Sequence, residues 1–159
     1  MKDITNVIIA GLGGQGVVKA SDILATAAFL SGFDVKKSEL HGMSQRGGSV
    51  SSDIRFGKSV FSPMIPYGAA DYLLVLCDSQ TDRVMPLKKA DGLLIVSEDL
   101  SGLELTDKRQ INSALLAVLS RHLEISNETW KLAFNKNFNE ITAQKNFDTF
   151  LKVQKAQVQ

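Results

Sequence analysis

The spacing of apolar residues changes twice within the first forty positions. Residues 7–10 (VIIA) form a continuous apolar run, whereas the apolar residues after Gly16 recur every three or four positions, as they do on one face of a helix. Gly32 stands where helices favour a terminal glycine, and residues 33–38 (FDVKKS) are strand-like again. The pattern predicts a strand, a glycine turn, a helix and a strand, which together form a βαβ unit whose crossover should be right-handed.

The middle of the chain predicts three more strands. Residues 49–56 alternate apolar and polar side chains, as a half-buried strand does. Residues 72–77 (YLLVLC) and 93–96 (LLIV) are continuous apolar runs, which is typical of strands buried on both faces of a parallel sheet. Two prolines and a glycine within residues 62–68 (SPMIPYG) predict a loop. A helix is expected between the two apolar runs, within residues 78–86.

Helical periodicity dominates the last third of the chain. It begins near Asp107, resumes at Ser126 and returns for a final helix over about residues 139–153. The inward face predicted for that last helix consists of Ile141, Phe147, Phe150 and Leu151. The whole pattern predicts a Rossmann-like three-layer α/β domain, with a mostly parallel sheet and a helical C-terminal third, spanning residues 1–159 as one domain.

Composition narrows the classes of partner. With 18 Lys and Arg against 17 Asp and Glu, the net charge is +1, so nucleic acid is a poor candidate. No apolar stretch approaches the ~20 residues of a membrane span, and the start does not resemble a signal peptide, so we expect no membrane partner and a cytoplasmic location. The single cysteine, Cys77, permits neither an internal disulfide nor a complete iron–sulfur cluster.

The first candidate site is the glycine turn. Gly11, Gly13 and Gly16 fit G-x-G-x-x-G after a strand and before a helix, a setting in which backbone N–H groups attract a pyrophosphate. Glu39, 23 residues beyond Gly16, is near the distance at which an acidic residue holds a ribose. The alternative is that the glycines only let the strand and helix pack closely, and the motif by itself does not decide between the two. The amide of Gln15 could reach a ligand or a neighbouring chain.

The second candidate site is the segment "HGMSQRGGS", residues 41–49. Arg46 offers a planar fork for a carboxylate or phosphate, and Gly47 and Gly48 permit positive φ beside it. The alternative is a structural loop in which Arg46 pairs with Asp53 and the histidine is solvated. We predict that both candidate segments lie together at the carboxyl edge of the sheet as a ligand or interface loop, formed by Gly11, Gly13, Gly14, Gln15, Gly16, His41, Gln45, Arg46, Gly47, Gly48 and Ser49. No catalytic residue and no metal ligand is assigned.

Three separated motifs resemble one known family. They are "GLGGQGVVKASDILATAAFLSG", "HGMSQRGGSVSSDIRFG" and "SPMIPYGAAD", and in this order they are similar to the gamma-type domain of the 2-oxoacid:acceptor (ferredoxin) oxidoreductases. His-Gly-Met before Gln-Arg-Gly-Gly is most similar to the beta subunits of indolepyruvate ferredoxin oxidoreductases. The resemblance covers residues 4 to about 98.

The resemblance implies a small subunit of an enzyme that oxidatively decarboxylates an aryl 2-oxoacid with coenzyme A, giving an acyl-CoA, carbon dioxide and reduced ferredoxin. It also implies that thiamine diphosphate and the [4Fe–4S] clusters belong to a larger partner subunit, that this chain holds no cofactor, and that it is inactive alone. Ferredoxin would be reached through the complex. Self-association of the isolated chain into a homodimer stays open.

The C-terminal third departs from the family pattern, because the stretch around residues 98–108 is shorter than usual. A divergent or inactive relative is therefore one alternative. A free-standing dinucleotide-binding protein that uses Glu39 is another, and an assembly subunit without a catalytic role is a third. The identity of the 2-oxoacid and the stoichiometry are not encoded in this chain.

Overall fold

A computed structural model describes residues 3–41, 47–105 and 107–156. Five strands form one sheet in the order β2-β3-β1-β4-β5. They are β1 (Ile4–Leu12), β2 (Asp34–His41), β3 (Ser49–Gly57), β4 (Ala70–Val75) and β5 (Lys88–Val96).

Strand direction confirms the predicted mostly parallel sheet. β4 runs parallel to both β1 and β5, whereas β3 runs antiparallel to both β1 and β2, so β3 alone of the five opposes the rest. The segment that joins β2 to β3 is short, and a short connection permits only antiparallel pairing. As a result β3 lies between β1 and β2, a feature that the predicted βαβ unit did not contain.

Five α-helices accompany the sheet in the described residues. They are α1 (Val17–Leu30), α2 (Thr81–Val84), α3 (Ile111–Ser120), α4 (Asn127–Asn137) and α5 (Glu140–Lys155). The predicted helix over residues 78–86 is only the single turn of α2, flanked by two 3-10 turns. Pro86 lies in the second of these turns, and a proline cannot supply the N–H that a longer helix needs.

The two faces of the sheet are covered unequally. Along β1, Val7 and Ile9 belong to the larger core cluster, under the long helices, whereas Ile8 and Ala10 belong to a smaller cluster on the opposite face. α1 and α3 contact the strands, while α4 packs on α1 and α5 packs on α3. On the opposite face, the smaller cluster contains Val84 of α2, and Ile65 and Leu87 pack against it. The third layer of the predicted architecture is therefore thin.

Aromatic side chains fill the space between the C-terminal helices. Trp130, Phe134 and Phe150 are fully buried, with the rings of Trp130 and Phe150 5.1 Å apart and those of Phe134 and Phe150 5.3 Å apart. The inward placement of Ile141 is wrong, since this side chain is 72% exposed. The buried stripe of α5 begins at Ala143, two residues later, and a two-residue step on a helix turns through about 200°.

Candidate functional site

The two candidate segments meet at one edge of the sheet. Leu12 at the end of β1 pairs with Ser49 at the start of β3, and His41 at the end of β2 pairs with Val50. The backbone N–H of Gly13 donates a hydrogen bond to the carbonyl oxygen of Gly48 at 2.8 Å. The glycine turn and the end of the second candidate segment therefore lie side by side.

Two glycines of the turn lie where a side chain would come too close to a neighbouring segment. Gly16 has φ +84°, and a Cβ built on it would lie 2.5 Å from Nδ2 of Asn112 in α3. A Cβ on Gly13 would lie 3.3 Å from the backbone nitrogen of Gly47. A side chain at either position would separate the turn from its neighbours, so the close-packing interpretation of the glycines holds whether or not a ligand binds.

Gln15 folds back into the turn. Its Oε1 accepts a hydrogen bond from the backbone N–H of Leu12 at 2.7 Å. This bond ties the start of the turn to its third residue. The amide oxygen is thus engaged inside the turn, and contact of the Gln15 side chain with a ligand or a neighbouring chain stays a prediction.

Glu39 is held by its own neighbours. Its Oε1 accepts a hydrogen bond from Nζ of Lys37 at 2.6 Å, and this bond lowers the pKa of the Glu39 carboxyl. Nε2 of His41, whose side chain is 62% exposed, lies 3.7 Å from Oε2 of the same carboxylate. Glu39 pairs with Ser52 of β3, which in turn pairs with Ile9 of β1. Because β3 lies between them, Glu39 is two strand spacings, about 10 Å, from β1. This placement weakens the ribose-binding interpretation.

The centre of the second segment stays a prediction. Gln45 and Arg46 lie outside the described residues, and so does the suggested pairing of Arg46 with Asp53. Asp53 itself is half-buried, which raises the pKa of its carboxyl, and its Oδ2 accepts a hydrogen bond from the N–H of Ile65 at 3.3 Å. Gly47 has φ +86°, as the glycine pair led us to expect.

A basic cavity opens beside the glycine turn. Its volume is about 570 Å³, and Gly14, Gln15 and Gly16 form one wall. The ionisable groups of its lining are Lys19, Asp107, Lys108, Arg109 and Lys145. The lining thus contains four cationic side chains and one carboxylate, that of Asp107. Asp107 forms an ion pair with Arg109, whose Nη2 lies 3.0 Å from Oδ2 of Asp107. The Arg109 partner holds the pKa of Asp107 below its usual value.

The beginning of α1 adds to the positive character of this cavity. The first turn of α1 holds no acidic residue, and its N-cap, Gly16, supplies no side-chain bond. Lys19 of that turn donates to the carbonyl oxygen of Asn137 at 2.7 Å and lies 5.1 Å from the centre of the Phe138 ring. Lysine in place of an acid at a helix start favours an anion. The cavity is therefore suited to a phosphate or carboxylate.

Sequence reasoning missed the cavity because its four cations come from three separate segments of the chain. Lys108 and Arg109 precede α3, and Lys145 belongs to α5, far from the glycine turn in the chain. The one usable signal was Lys19, a cation in the first turn of the helix after the glycine motif.

Metal and cluster sites are absent from residues 3–41, 47–105 and 107–156, where no three His, Cys, Asp or Glu side chains could hold a metal ion. The half-buried Cys77 has its Sγ 3.2 Å from Oγ of Ser79. An iron–sulfur cluster needs four thiolates, and the sequence contains one cysteine. Within the same residues, no helix is long and apolar enough to cross a membrane.

A family model described as pyruvate ferredoxin/flavodoxin oxidoreductase matches residues 6–156. Among similar proteins, indolepyruvate oxidoreductase subunit IorB of Thermococcus kodakarensis is 40% identical over 92 residues, which are 58% of this chain and 46% of that protein. The pyruvate/ketoisovalerate oxidoreductases common subunit gamma of Pyrococcus furiosus is 32% identical over 111 residues, 69% of this chain and 60% of that protein. The chain thus matches about half the length of the first of these relatives.

Solved structures share the fold. The pyruvate oxidoreductase subunit PORC of Thermotoga maritima has a TM-score of 0.73 at 17% identity, with 96% of both chains covered. The 2-oxoglutarate:ferredoxin oxidoreductase of Magnetococcus marinus has a TM-score of 0.76 at 16% identity, and there the match covers all of this chain but 32% of the other. The match covers nearly all of both chains, and the shortening around residues 98–108 stays a prediction.

Proposed function

The chain belongs to the pyruvate ferredoxin/flavodoxin oxidoreductase family, and from that premise we propose that it is the small subunit of a 2-oxoacid ferredoxin oxidoreductase. The family match over residues 6–156 carries the proposal. The names of the relatives, which are subunits of oxidoreductases of indolepyruvate, pyruvate or ketoisovalerate, support it.

Indolepyruvate or another arylpyruvate is the proposed 2-oxoacid. The 40% identity to subunits named for indolepyruvate supports this choice over pyruvate, because the subunits named for pyruvate match at 32%. The proposed reaction joins the acyl group to coenzyme A, releases carbon dioxide and passes electrons to ferredoxin. Thiamine diphosphate and iron–sulfur clusters in the larger subunit would supply the decarboxylation and the electron transfer.

The proposed contribution of this chain is to bind and position. The edge formed by Gly13 and Gly48 would face the larger subunit, with Arg46 as the predicted charge beside it. The basic cavity would receive the anionic end of a ligand, and coenzyme A is the substrate whose phosphates match an excess of cations. Lys19, fixed by Asn137, is the cation best placed to be pre-oriented for such a group.

A second candidate is a free-standing nucleotide-binding protein. The glycine turn beside a cavity rich in cations favours it, whereas the distance of Glu39 from β1 argues against a dinucleotide. This candidate predicts binding by the isolated chain. Titration with NAD(H) or FAD should give heat or a fluorescence change if it is correct, and neither if the subunit proposal is correct.

Anaerobic recovery of the tagged chain from its native cells tests the main proposal. A larger protein that carries iron and thiamine should come down with it, and mass spectrometry identifies that protein. Arg46→Ala should lower either the yield of the complex or its turnover. Recovery of the chain alone, colourless and without thiamine, would contradict the subunit proposal.

A further inference from the structure

The loop of residues 60–68, between β3 and β4, presents three large apolar side chains to solvent. Phe61 is 93% exposed, Tyr67 78% and Met64 72%. No Asp, Glu, Lys or Arg lies within these nine residues. Single exposed apolar side chains are ordinary, but three within seven positions of an uncharged loop are the kind of patch that marks an interaction site. We call residues 60–68 the apolar loop.

Side chains of the strands anchor the apolar loop by hydrogen bonds. Nη1 of Arg55 donates to the carbonyl oxygens of Ser62, at 2.9 Å, and Met64, at 3.1 Å. Nε of the same guanidinium donates to Oδ1 of Asn6 in β1 at 2.9 Å. One side chain therefore ties the backbone on both sides of Pro63 to the sheet.

Two carboxylates fix the loop at further points. Oδ2 of Asp34, at the start of β2, accepts from the N–H of Val60 at 2.7 Å, and Oδ2 of Asp53 accepts from the N–H of Ile65. Ile65 also packs against the smaller core cluster. The exposed rings are thus presented on a pre-organised backbone, which lowers the entropic cost of binding.

A fourth apolar side chain lies on the same face of the sheet. Leu40 pairs with Ser51, which pairs with Ala10, and Ala10 belongs to the cluster on the face away from the long helices. Leu40 is 63% exposed. The apolar loop and Leu40 therefore lie on the same thinly covered face of the sheet, and Leu40 is near the edge that holds the glycine turn.

We propose that the apolar loop is a docking element that inserts Phe61, Met64 and Tyr67 into an apolar groove on the larger subunit. This inference rests on the proposed function, which supplies that subunit. The same fold forms 32% of a longer chain in the Magnetococcus enzyme, so it is a fold that occurs joined to a larger protein body.

The area of the exposed side chains argues against a second copy of this chain as the partner that covers the apolar loop. An aromatic side chain buries roughly 150–250 Å², so the rings of Phe61 and Tyr67 offer about 300–500 Å², with Met64 in addition. A stable interface takes about 800 Å² from each partner. Two copies that met through this loop alone would fall short, whereas a larger partner that also covers Leu40 and the Gly13–Gly48 edge would not.

Titration of the purified larger subunit with fluorescently labelled chain, under anaerobic conditions, tests the docking. The triple variant Phe61→Ser, Met64→Ser, Tyr67→Ser should bind about 100-fold more weakly than the wild type or worse. The matched control is Phe29→Ser, which removes a 68% exposed phenylalanine from α1, in the helical layer, and should bind within about twofold of the wild type. Thermal unfolding of the free chains should show that all of them fold.

Each outcome separates the two proposals. Tight binding by the wild type and equally tight binding by the folded triple variant would overturn the docking element and leave the subunit proposal intact. No binding by the wild type would overturn the subunit proposal and the docking element with it. A wild-type homodimer that the triple variant dissociates would identify a second copy as the occupant and overturn the assignment to the larger subunit.

Discussion

The 2.8 Å hydrogen bond from Gly13 to Gly48 joins the two candidate segments of this protein into one edge. This bond depends on a turn that leaves little space for a side chain at Gly13 and Gly16, and on an antiparallel β3 that returns the chain beside β1. Everything proposed for function depends on this edge being intact, since the basic cavity has the same turn as a wall.

Replacement of Gly16 by alanine tests how closely the turn is packed. Positive φ alone costs about 1–2 kcal/mol, and the new Cβ must also displace the Asn112 amide, so we expect a loss of about 2–4 kcal/mol in the free energy of unfolding. Gly14→Ala is the control: its φ is +87° but a Cβ there meets nothing within 4 Å. Urea denaturation measures both.

The contact with Asn112 has its own check. Truncation of that side chain removes the two nearest atoms, so Gly16→Ala and Asn112→Ala together should cost less than the sum of the single changes. Strictly additive losses would show that the amide is not what opposes a side chain at residue 16.

Loss of cations from the basic cavity should weaken binding of an anionic substrate. In the assembled complex, Lys19→Ala and Lys145→Ala should each raise KM for coenzyme A by about 5-fold to 20-fold with little change in kcat, because each removes a charge-assisted contact. Lys131→Ala, an exposed lysine of α4 outside the cavity lining, is the charge-matched control. Equal KM values in all three variants would remove the cavity from the proposal.

The aromatic cluster should dominate the stability of the helical layer. Phe150→Ala removes a fully buried ring that contacts Trp130 and Phe134, and we expect a loss of about 3–5 kcal/mol. Ile141→Ala on the same helix should change the free energy of unfolding by less than about 0.5 kcal/mol. A comparable loss in the two variants would contradict the assigned orientation of α5.

Acid should weaken the hydrogen bond between Asp34 and the apolar loop. The Val60 N–H holds the pKa of the Asp34 carboxyl below its usual value of 3.8. The folded chain therefore binds this proton less readily than the unfolded chain, and the resulting stability is complete above pH 3.8 and is lost as pH falls through the lower folded pKa.

Asp34→Asn isolates this effect because it retains an oxygen acceptor and does not titrate. Urea denaturation at about pH 5 and about pH 2.5 should show a smaller acid-induced loss in Asp34→Asn than in the wild type. Asp91→Asn, at a carboxylate that is 79% exposed, should leave the loss unchanged. An identical loss in Asp34→Asn and the wild type would exclude Asp34 as a source of acid sensitivity.

The sequence predicted local structure better than partnership between distant segments. Apolar runs located β1, β4 and β5, and Ser126 and Asn139 are the N-caps of α4 and α5, with their side chains bonded to Thr129 and Thr142. Such signals are local, because capping and burial act over a few residues. The insertion of β3 between β1 and β2 was not predictable in the same way, since strand order depends on pairing across the sheet.

In the candidate site, too, local motifs were predictable and contacts between distant segments were not. The glycine turn and the segment after β2 were recognisable as motifs, whereas the basic cavity combines side chains from α1, α3, α5 and the residue pair before α3. Of Phe134, Phe138, Phe147 and Phe150, all but Phe138 are buried, whereas Phe29 and Phe61, elsewhere in the chain, are exposed. Composition gives the number of aromatic rings but not their positions in the fold.

Turnover by separated and recombined subunits tests the central claim most directly. The purified chain and the purified larger subunit, each assayed anaerobically with indolepyruvate, coenzyme A and oxidised ferredoxin, should not reduce ferredoxin alone and should do so when mixed. Full activity of the larger subunit without this chain, or continued inactivity of a stable mixed complex with indolepyruvate, other arylpyruvates and pyruvate, would contradict the claim that this chain is a working subunit of a 2-oxoacid oxidoreductase.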